Sequence, residues 1–259
     1  MQKRISWILS VLTEHLPISK MKIALIGYGK MGHTIERVAM SRGHEIVCIV
    51  DVDSQENFET DSFASADVAI EFTSPSSAVS NIRKAWKADV PVVSGTTGWH
   101  DELPALKSEL LREDKGLFWS SNYSIGVNLF MEVNRQLASM MNKYESYAIR
   151  MSETHHIHKL DAPSGTAITL AEDILERVDR VQGWMLGGKV GTPNIPIESI
   201  REGEVPGIHT VTYESEVDSI MISHSAKSRE GLALGAVLAA EFMQGKRGYY
   251  SMRDMLAFY

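Results

Sequence analysis

The stretch KIALIGYGKMG, residues 22–32, decides the fold of the first part of the chain. Its apolar beginning predicts a short buried strand, and the glycine-rich GYGKMG that follows opens a helical pattern ending near Gly43. A second strand is predicted over residues 45–50, and Asp51 follows it, 19 positions after Gly32. Strand, GxGxxG, helix, strand and acid in this order are typical of a dinucleotide-binding unit, in which the glycines admit the pyrophosphate and the acid binds the ribose.

The alternation of strands and helices continues beyond this unit. Strands are predicted over residues 67–72, 91–93 and 117–119. Short polar turns follow the last two of these strands, over residues 94–98 and 120–123. The carboxyl ends of parallel strands share one edge of a sheet, where open α/β sheets bind their ligands, so both turns are candidates for the nucleotide site.

A second informative stretch is ETHHIHKLDAPSGTA, residues 153–167, which follows a strand-like run over residues 144–151. Ser164 is a favourable N-cap, and apolar residues at helical spacing follow it. Gly165 and Thr166 would then lie in the first helical turn with free backbone N–H groups. Such a helix N-terminus is a natural binding site for a carboxylate.

The residues alone leave three interpretations of the His/Lys-rich part of this stretch open. The first is a solvated polar loop. The second is a metal site, although adjacent ligands on one loop suit tetrahedral zinc poorly. The third is acid–base catalysis on an anionic substrate, because histidine titrates near neutrality and a crowded lysine such as Lys159 can donate a proton. The residues that the metal interpretation would use are Glu153, His155, His156 and His158.

The pattern changes after the first five strands. A helix is predicted over residues 126–141, a Gly/Pro-rich section covers residues 183–196, and strands over residues 209–213 and 218–223 read as an antiparallel pair. One more apolar helix is predicted over residues 232–242. The whole pattern predicts an α/β fold with a doubly wound, Rossmann-like nucleotide domain and a second, α+β domain that carries a mixed or antiparallel sheet.

Composition narrows the classes of function. With 259 residues, of which 44% are hydrophobic, the chain can form a real core, and its net charge of −7 argues against nucleic acid as a main partner. A single cysteine excludes an internal disulfide framework and fits a cytoplasmic location. No run of eighteen apolar residues occurs, so we expect no membrane span.

The first twenty residues stand apart from these patterns. Their apolar residues have helical spacing but lack the small-residue cleavage pattern of a secretory signal. Met21 directly precedes the first convincing strand. We therefore interpret residues 1–20 as a dispensable amphipathic appendage or as the result of an upstream start.

Taken together, the motifs resemble those of the 4-hydroxy-tetrahydrodipicolinate reductase family, also called dihydrodipicolinate reductases, of lysine and diaminopimelate biosynthesis. The likeness runs from Met21 to the C-terminus, and HHIHKLDAPSGTA, residues 155–167, carries most of it. GTT at residues 95–97, SSNYSIGVN at residues 120–128 and SMRDML at residues 251–256 support it.

The resemblance implies NAD(P)H-dependent reduction of 4-hydroxy-tetrahydrodipicolinate to tetrahydrodipicolinate, without a metal ion. It implies His155 as a proton donor and acceptor and Lys159 as a proton donor. The substrate, a small dicarboxylate, would be bound by His156, Gly165 and Thr166. The implied nucleotide contacts are Gly27, Tyr28, Gly29, Lys30, Met31, Gly32, Asp51, Gly95, Thr96, Thr97, Ser120, Ser121, Asn122 and Tyr123.

The resemblance also implies a domain organisation and a homotetramer that associates through the second domain. A dinucleotide-binding domain is expected over residues 21–123. A substrate-binding and oligomerisation domain follows over residues 124–229, and residues 230–259 are expected to return to the nucleotide domain.

Asp51 predicts a preference for NADH, with some use of NADPH. The carboxylate can bind both ribose hydroxyls of NADH but would repel the phosphate that NADPH carries there. No arginine follows it, since the next residues are Val52, Asp53 and Ser54. Lys30 is the nearest cation in the sequence that would favour NADPH.

Other classes of function compete with the reductase. Another NAD(P)-dependent dehydrogenase acting on a small carboxylic acid would be revealed by a panel of substrates. A non-catalytic NAD-sensing protein would bind nucleotide without turnover. A metal-dependent hydrolase, the third alternative, would contain stoichiometric zinc.

Overall fold

The computed structural model describes residues 19–191 and 193–258, so nearly all of the expected N-terminal appendage lies outside the described residues. The chain divides into two compact units. Unit 1 ends at Ser124 and resumes at Glu230, whereas unit 2 comprises Ile125–Arg229. Within the described residues, no helix is long and apolar enough to cross a membrane.

The strands and helices follow one another along both units. Up to the end of the first pass through unit 1 they are β1 (Lys22–Ile26), α1 (Lys30–Ser41), β2 (Glu45–Val50), α2 (Asp61–Ala64), β3 (Val68–Glu71), α3 (Pro75–Lys87), β4 (Val92–Ser94), α4 (Leu103–Arg112) and β5 (Gly116–Trp119). Unit 2 contains α5 (Ile125–Met141), β6 (Ala148–His155), α6 (Gly165–Leu175), β7 (Gly183–Leu186), β8 (Asn194–Arg201), β9 (Ile208–Glu214) and β10 (Ser219–Ser225). The return to unit 1 consists of α7 (Glu230–Met243), β11 (Gly248–Tyr250) and α8 (Met252–Met255).

Unit 1 is built on one sheet with the strand order β11-β5-β4-β3-β1-β2. All of its neighbouring strands pair in parallel. The inner strands are buried on both faces, which explains their near-continuous apolar runs, such as residues 23–26 and 68–70. The predicted doubly wound parallel sheet is thus confirmed, and β11 adds an edge strand that the sequence pattern does not identify.

Unit 2 has a mixed sheet with the strand order β10-β9-β6-β8-β7. The strands β9 and β10 form the expected antiparallel pair, and β9 is also antiparallel to β6. On the other side of β6, the strands β8 and β7 run parallel. They begin within the Gly/Pro-rich section, where the sequence pattern predicts no strand. Helices α5 and α6 supply apolar side chains to the core of this unit.

The central strand β6 differs from its prediction. The sequence predicts a strand over residues 144–151 and a loop from Glu153, but β6 runs from Ala148 to His155. Every second side chain is buried, and this alternation continues through Glu153 and His155. Polar side chains occupy the last two buried positions, so the apolar signal ends before the strand does.

Candidate active site

The glycine-rich turn between β1 and α1 has the shape that a nucleotide pyrophosphate needs. Gly27 has φ +92°, and a Cβ atom there would lie 2.1 Å from the carbonyl oxygen of Phe72. A Cβ atom on Gly32 would lie 2.4 Å from the carbonyl oxygen of Gly27. A Cβ atom on Gly29 would instead meet open space. Two glycines therefore allow tight backbone packing, and the third leaves room for a ligand at the N-terminus of α1.

A cavity of about 450 Å³ adjoins this turn. Residues 27–29, Asp51 and Thr73 are among the residues that line it. It lies at the carboxyl ends of β1, β2 and β3, where an open parallel sheet binds ligands. Asp51 is held there by the Ser54 hydroxyl, which accepts a 2.8 Å hydrogen bond from the Asp51 backbone N–H. The turn, the cavity and the acid fit a dinucleotide.

The other expected residues of α1 and its turn have different surroundings. The Tyr28 hydroxyl donates a hydrogen bond to Glu36, and its ring centroid lies 4.0 Å from that of His33. Met31 is half-buried, and Lys30 is exposed at the start of α1. Residues 27–29 line the cavity, whereas Lys30 and Met31 do not, and the Tyr28 hydroxyl is hydrogen-bonded to α1.

The turn at residues 95–97 is supported from below by the buried carboxylate of Glu71. A Cβ atom on Gly95 would lie 2.1 Å from the ring of Phe72, so a larger residue there would require that ring to move. Thr96 is buried and donates a 2.7 Å hydrogen bond from its hydroxyl to Glu71. Thr97 is exposed. Of the three residues expected to contact nucleotide, Thr97 alone presents an exposed side chain.

The turn at residues 120–123 combines exposed and buried positions. Tyr123 is only 1% exposed, and its hydroxyl donates a 2.7 Å hydrogen bond to the carbonyl oxygen of Ser94. Burial raises the pKa of this phenol well above its ordinary value. Ser120 accepts a hydrogen bond from the backbone of Asn122, and Ser121 is exposed. The side chain of Tyr123 therefore stabilises the sheet edge rather than projecting from it.

The second group of expected residues lies in unit 2, at the end of β6. Glu153 pairs in register with Ser199 on β8 and with His209 on β9. Its carboxylate is fully enclosed, with an Oε2 atom 3.3 Å from Nδ1 of His155 and 3.7 Å from Nε2 of His209. Ser164 lies 3.0 Å from Nε2 of His209. The sheet thus brings together groups that are up to 56 residues apart in the chain.

The charge states of this cluster follow from its surroundings. Burial alone would raise the pKa of Glu153, but hydrogen bonds from Ser164, Ser199 and Arg201 outweigh it, so this pKa is lowered. Burial lowers the pKa of His155, against the opposing charge of Glu153. Burial also lowers the pKa of His209 to about 4. At neutral pH the cluster therefore contains an ionised carboxylate beside two neutral imidazoles.

The remaining residues of the central motif have different surroundings, although the ring centroids of His156 and His158 lie 6.0 Å apart. His156 is half-buried, whereas the exposed His158 faces Glu204 at 3.1 Å. Lys159 forms a 2.8 Å ion pair with Asp161, and its side chain is 22% exposed. Arg201 donates hydrogen bonds to the backbone carbonyl oxygens of Lys159 and Asp161, at 3.2 and 2.7 Å. The motif is thus an ordered loop attached to β8.

The expected helix N-terminus is present at α6. Ser164 is its N-cap, and the hydroxyl accepts a 3.2 Å hydrogen bond from the backbone N–H of Ala167. Gly165 is exposed, Thr166 is half-buried, and a Cβ atom on Gly165 would meet open space. The first turn of α6 therefore has the geometry to bind an anion.

The sequence did not predict several residues of the cluster around Glu153. Glu153 appears there only as a metal ligand, although its spacing from His155 places both side chains on one face of a strand. Ser199, Arg201 and His209 come from other strands, and no local pattern marks them.

The same cluster contains ligand atoms of Glu153, His155 and His209 that lie within 4.8 Å of one another. Arg201 donates a 3.1 Å hydrogen bond to the carboxylate of Glu153. A guanidinium on the same carboxylate disfavours a second cation, so the charge distribution suits proton transfer better than metal binding.

Comparisons with known proteins place this arrangement in a family. The family models for the N-terminus and the C-terminus of dihydrodipicolinate reductase match residues 21–123 and 126–256. The 4-hydroxy-tetrahydrodipicolinate reductase of Christiangramia forsetii is 49% identical over 237 residues, covering 92% of this chain and 98% of the relative. The protein of the same name from Methanopyrus kandleri is 41% identical over 199 residues, covering 74% and 71%.

Among solved structures, a dipicolinate-bound dihydrodipicolinate reductase from Paenisporosarcina sp. TG-14 superposes with a TM-score of 0.71. It is 22% identical, and the match covers 90% of this chain and 97% of that one. This likeness supports the fold, and the sequence matches over both units establish the kinship. The chain belongs to the dihydrodipicolinate reductase family.

Proposed function

We propose that this chain catalyses the NAD(P)H-dependent reduction of 4-hydroxy-tetrahydrodipicolinate to tetrahydrodipicolinate, a step of lysine and diaminopimelate biosynthesis. The observation that carries the proposal is the arrangement in unit 2, where His155 and Lys159 accompany the open helix N-terminus at Gly165. A unit that has both proton-transfer groups and a binding site for a carboxylate suits a small dicarboxylate substrate that takes up a proton during its reduction.

Unit 1 would bind the nucleotide. Residues 27–32 would accommodate its pyrophosphate and Asp51 its ribose, with Thr97 and Ser121 exposed on the neighbouring turns. The reduced nicotinamide supplies a hydride when it is bound. The fully buried Thr96 and Tyr123 would shape this edge from beneath.

Unit 2 would bind the substrate and move the protons. The backbone N–H groups of Gly165 and Thr166 would hold one carboxylate, and the half-buried His156 would assist them. In the overall reaction the 4-hydroxyl group of the substrate leaves as water and C4 receives the hydride. The ammonium group of Lys159 would protonate the neighbouring enamine carbon, while His155 would accept and return a proton. Asp161 and Arg201 keep the Lys159 loop in place.

The deciding experiment is an assay of NADH and NADPH oxidation with the product of dihydrodipicolinate synthase. We expect turnover that depends on both the nucleotide and this product. Turnover only with another acid from a panel of substrates would indicate a different dehydrogenase. Nucleotide binding without turnover on any substrate would indicate a sensing protein.

We further propose that the enzyme prefers NADH. Asp51 lines the nucleotide cavity, and a 2′-phosphate at about 5 Å from its carboxylate would cost roughly 3 kcal/mol per unit charge at an effective dielectric constant near 20. The exposed Lys30 is the cation that would offset part of this repulsion. We expect kcat/KM to be higher with NADH, and Asp51→Asn to narrow the difference. A clear preference for NADPH would contradict the assignment.

The proposed assembly is a homotetramer formed through unit 2, and the proposed location is the cytoplasm. The strand β10 lies at one edge of the unit 2 sheet, with Met221 57% exposed and Ile220 38% exposed. The chain's single cysteine, Cys48, is a buried thiol. Sedimentation equilibrium would test the assembly, and a monomer at micromolar concentration would contradict it.

A further inference from the structure

The two oxygens of the Glu153 carboxylate have different environments. Oε1 accepts hydrogen bonds from the backbone N–H of Ser164 at 3.1 Å, the hydroxyl of Ser199 at 2.9 Å and the guanidinium of Arg201 at 3.1 Å. Oε2 is enclosed and faces Nδ1 of His155 at 3.3 Å. Among the described residues, neither Oε2 nor this Nδ1 has any hydrogen-bond partner. Two buried polar atoms without a hydrogen-bond partner thus lie 3.3 Å apart.

The charge states of the two groups decide where the proton of the imidazole lies. Glu153 is ionised, because the three donors on Oε1 lower its pKa against the effect of burial. His155 is neutral, because burial lowers its pKa. A neutral imidazole has one N–H group and one lone pair. A lone pair at Nδ1 would be repelled by the carboxylate oxygen 3.3 Å away, whereas an N–H there is attracted to it and needs only a small adjustment to form a hydrogen bond.

We propose that Glu153 is a positioning residue that holds His155 as the Nδ1–H tautomer, so that Nε2 is the nitrogen that accepts and returns the proton. The assignment rests on the proposed reductase function. The carboxylate also stabilises the imidazolium that forms when Nε2 is protonated. A Cβ atom on Gly207 would lie 3.0 Å from Nε2, and the glycine therefore avoids a side chain that would crowd this nitrogen.

The other groups around His155 make Glu153 necessary for this role. Lys159 and Arg201 disfavour a positive charge on His155, and Asp161 favours it. The ring of His209 lies 5.0 Å from that of His155, and burial keeps it neutral by lowering its pKa to about 4. Of the two acids that favour a positive charge on His155, Asp161 is exposed and already paired with Lys159. Without the carboxylate of Glu153, the imidazolium form of His155 would therefore be much less stable.

The variant Glu153→Gln tests the proposal. The glutamine carbonyl can still accept the hydrogen bonds on Oε1, but its amide would donate toward Nδ1 and force the opposite tautomer. We expect kcat to fall by about 10²-fold or more, with KM for the substrate changed less than about threefold. We also expect the acidic limb of the pH–rate profile to shift to lower pH.

Nitrogen-15 NMR of the histidine side chains gives a readout that does not depend on activity. We expect His155 to be Nδ1–H in the wild type and Nε2–H in Glu153→Gln. Asp173→Asn is the matched control, because it changes a half-buried, Arg135-paired acid of the same unit and should alter neither tautomer nor pH profile.

An Nε2–H tautomer in the wild-type protein would overturn the proposal, as would a Glu153→Gln variant with the wild-type pH profile and tautomer. If the variant does not fold, the wild-type spectrum alone decides. If the protein reduces no substrate, the proposed function fails, and the spectrum still shows which nitrogen carries the proton.

Discussion

Each unit of the molecule contains a fully buried carboxylate near the carboxyl end of a central strand, and the two are used differently. In unit 1, Glu71 ends β3, and hydroxyl groups occupy both of its oxygens. Ser94 donates to Oε2 at 2.5 Å, and Thr73 and Thr96 donate to Oε1. In unit 2, three donors share Oε1 of Glu153, and Oε2 faces an imidazole.

This difference in hydrogen bonding distinguishes a structural role for Glu71 from the positioning role proposed for Glu153. The hydroxyl groups on Glu71 come from the last residue of β4 and from the segments after β3 and β4, so the carboxylate links two strand ends beneath the proposed nucleotide site. Both oxygens of the Glu71 carboxylate accept hydrogen bonds from neutral hydroxyl groups, so its hydrogen-bonding needs are met by groups that do not titrate. Oε2 of Glu153 has no such donor among the described residues and instead lies 3.3 Å from Nδ1 of His155, whose pKa burial lowers. Burial of a carboxylate alone therefore does not identify a functional group.

The largest effect is expected in unit 2, where loss of the proposed proton donor should strongly reduce activity without unfolding the protein. We expect Lys159→Ala to lower kcat by about 10²- to 10⁴-fold, because a general acid commonly contributes that much. Nucleotide affinity and the unfolding midpoint should stay close to those of the wild type. The exposed Lys143, also in unit 2, supplies the control variant Lys143→Ala. Near-wild-type turnover of Lys159→Ala would refute the assignment.

The second expected effect is a loss of stability in acid that originates in unit 2. The folded pKa of His209, about 4, lies below the value near 6.5 of an unfolded histidine. Between these values the unfolded chain binds more protons, so the free energy of unfolding falls as the pH falls from 6.5 to 4. His209 alone should account for about 3 kcal/mol of that loss at pH 4.

Urea denaturation between pH 7 and pH 4.5 measures this slope, and His209→Gln should flatten it. The pKa values of His155 and His224 are also lowered by burial, so some slope should remain in the variant. If His209→Gln left the pH dependence of the unfolding free energy unchanged, His209 would not be the cause of the acid destabilisation.

A smaller effect is expected from Glu71→Gln in unit 1. The amide nitrogen of glutamine cannot accept a hydrogen bond, so one hydroxyl loses its partner, and we expect a loss of about 1–3 kcal/mol in unfolding free energy. Because Thr96 would be held less firmly, KM for the nucleotide should rise while kcat at saturation stays within about twofold of wild type. Glu153→Gln should show the reverse pattern. If Glu71→Gln and Glu153→Gln changed kcat and KM in the same way, the proposed difference in role between the two carboxylates would be wrong.

The smallest effect is expected at the most exposed histidine of the central motif. The side chain of His158 is 68% exposed and faces Glu204, whose side chain is 80% exposed. We expect His158→Ala to change kcat by less than about twofold and stability by less than about 0.5 kcal/mol. A large loss of activity would mean that His158 takes part in the reaction despite its exposure, for example through the neighbouring ring of His156.

Local patterns allowed a large part of the fold to be predicted. The bounds of β1 and β2 agree with their predictions, because buried parallel strands are continuous apolar runs that the adjoining glycine turn delimits. The start of α6 was equally predictable, since an N-cap hydrogen bond joins residues only three positions apart, Ser164 and Ala167. The end of β6 was not, because buried polar side chains conceal the continuation of a strand.

The glycine turn, the acid after β2 and the capped helix could be read from local sequence, because each is made by residues that are neighbours in the chain. Tertiary structure alone decided that Ser199 and His209 flank Glu153 and that Arg201 reaches its carboxylate. These contacts depend on the order and register of β8, β6 and β9 in a sheet, which long-range backbone pairing sets. The same pairing buries the carboxylate of Glu153 beside His155, because only the assembled sheet excludes water from both.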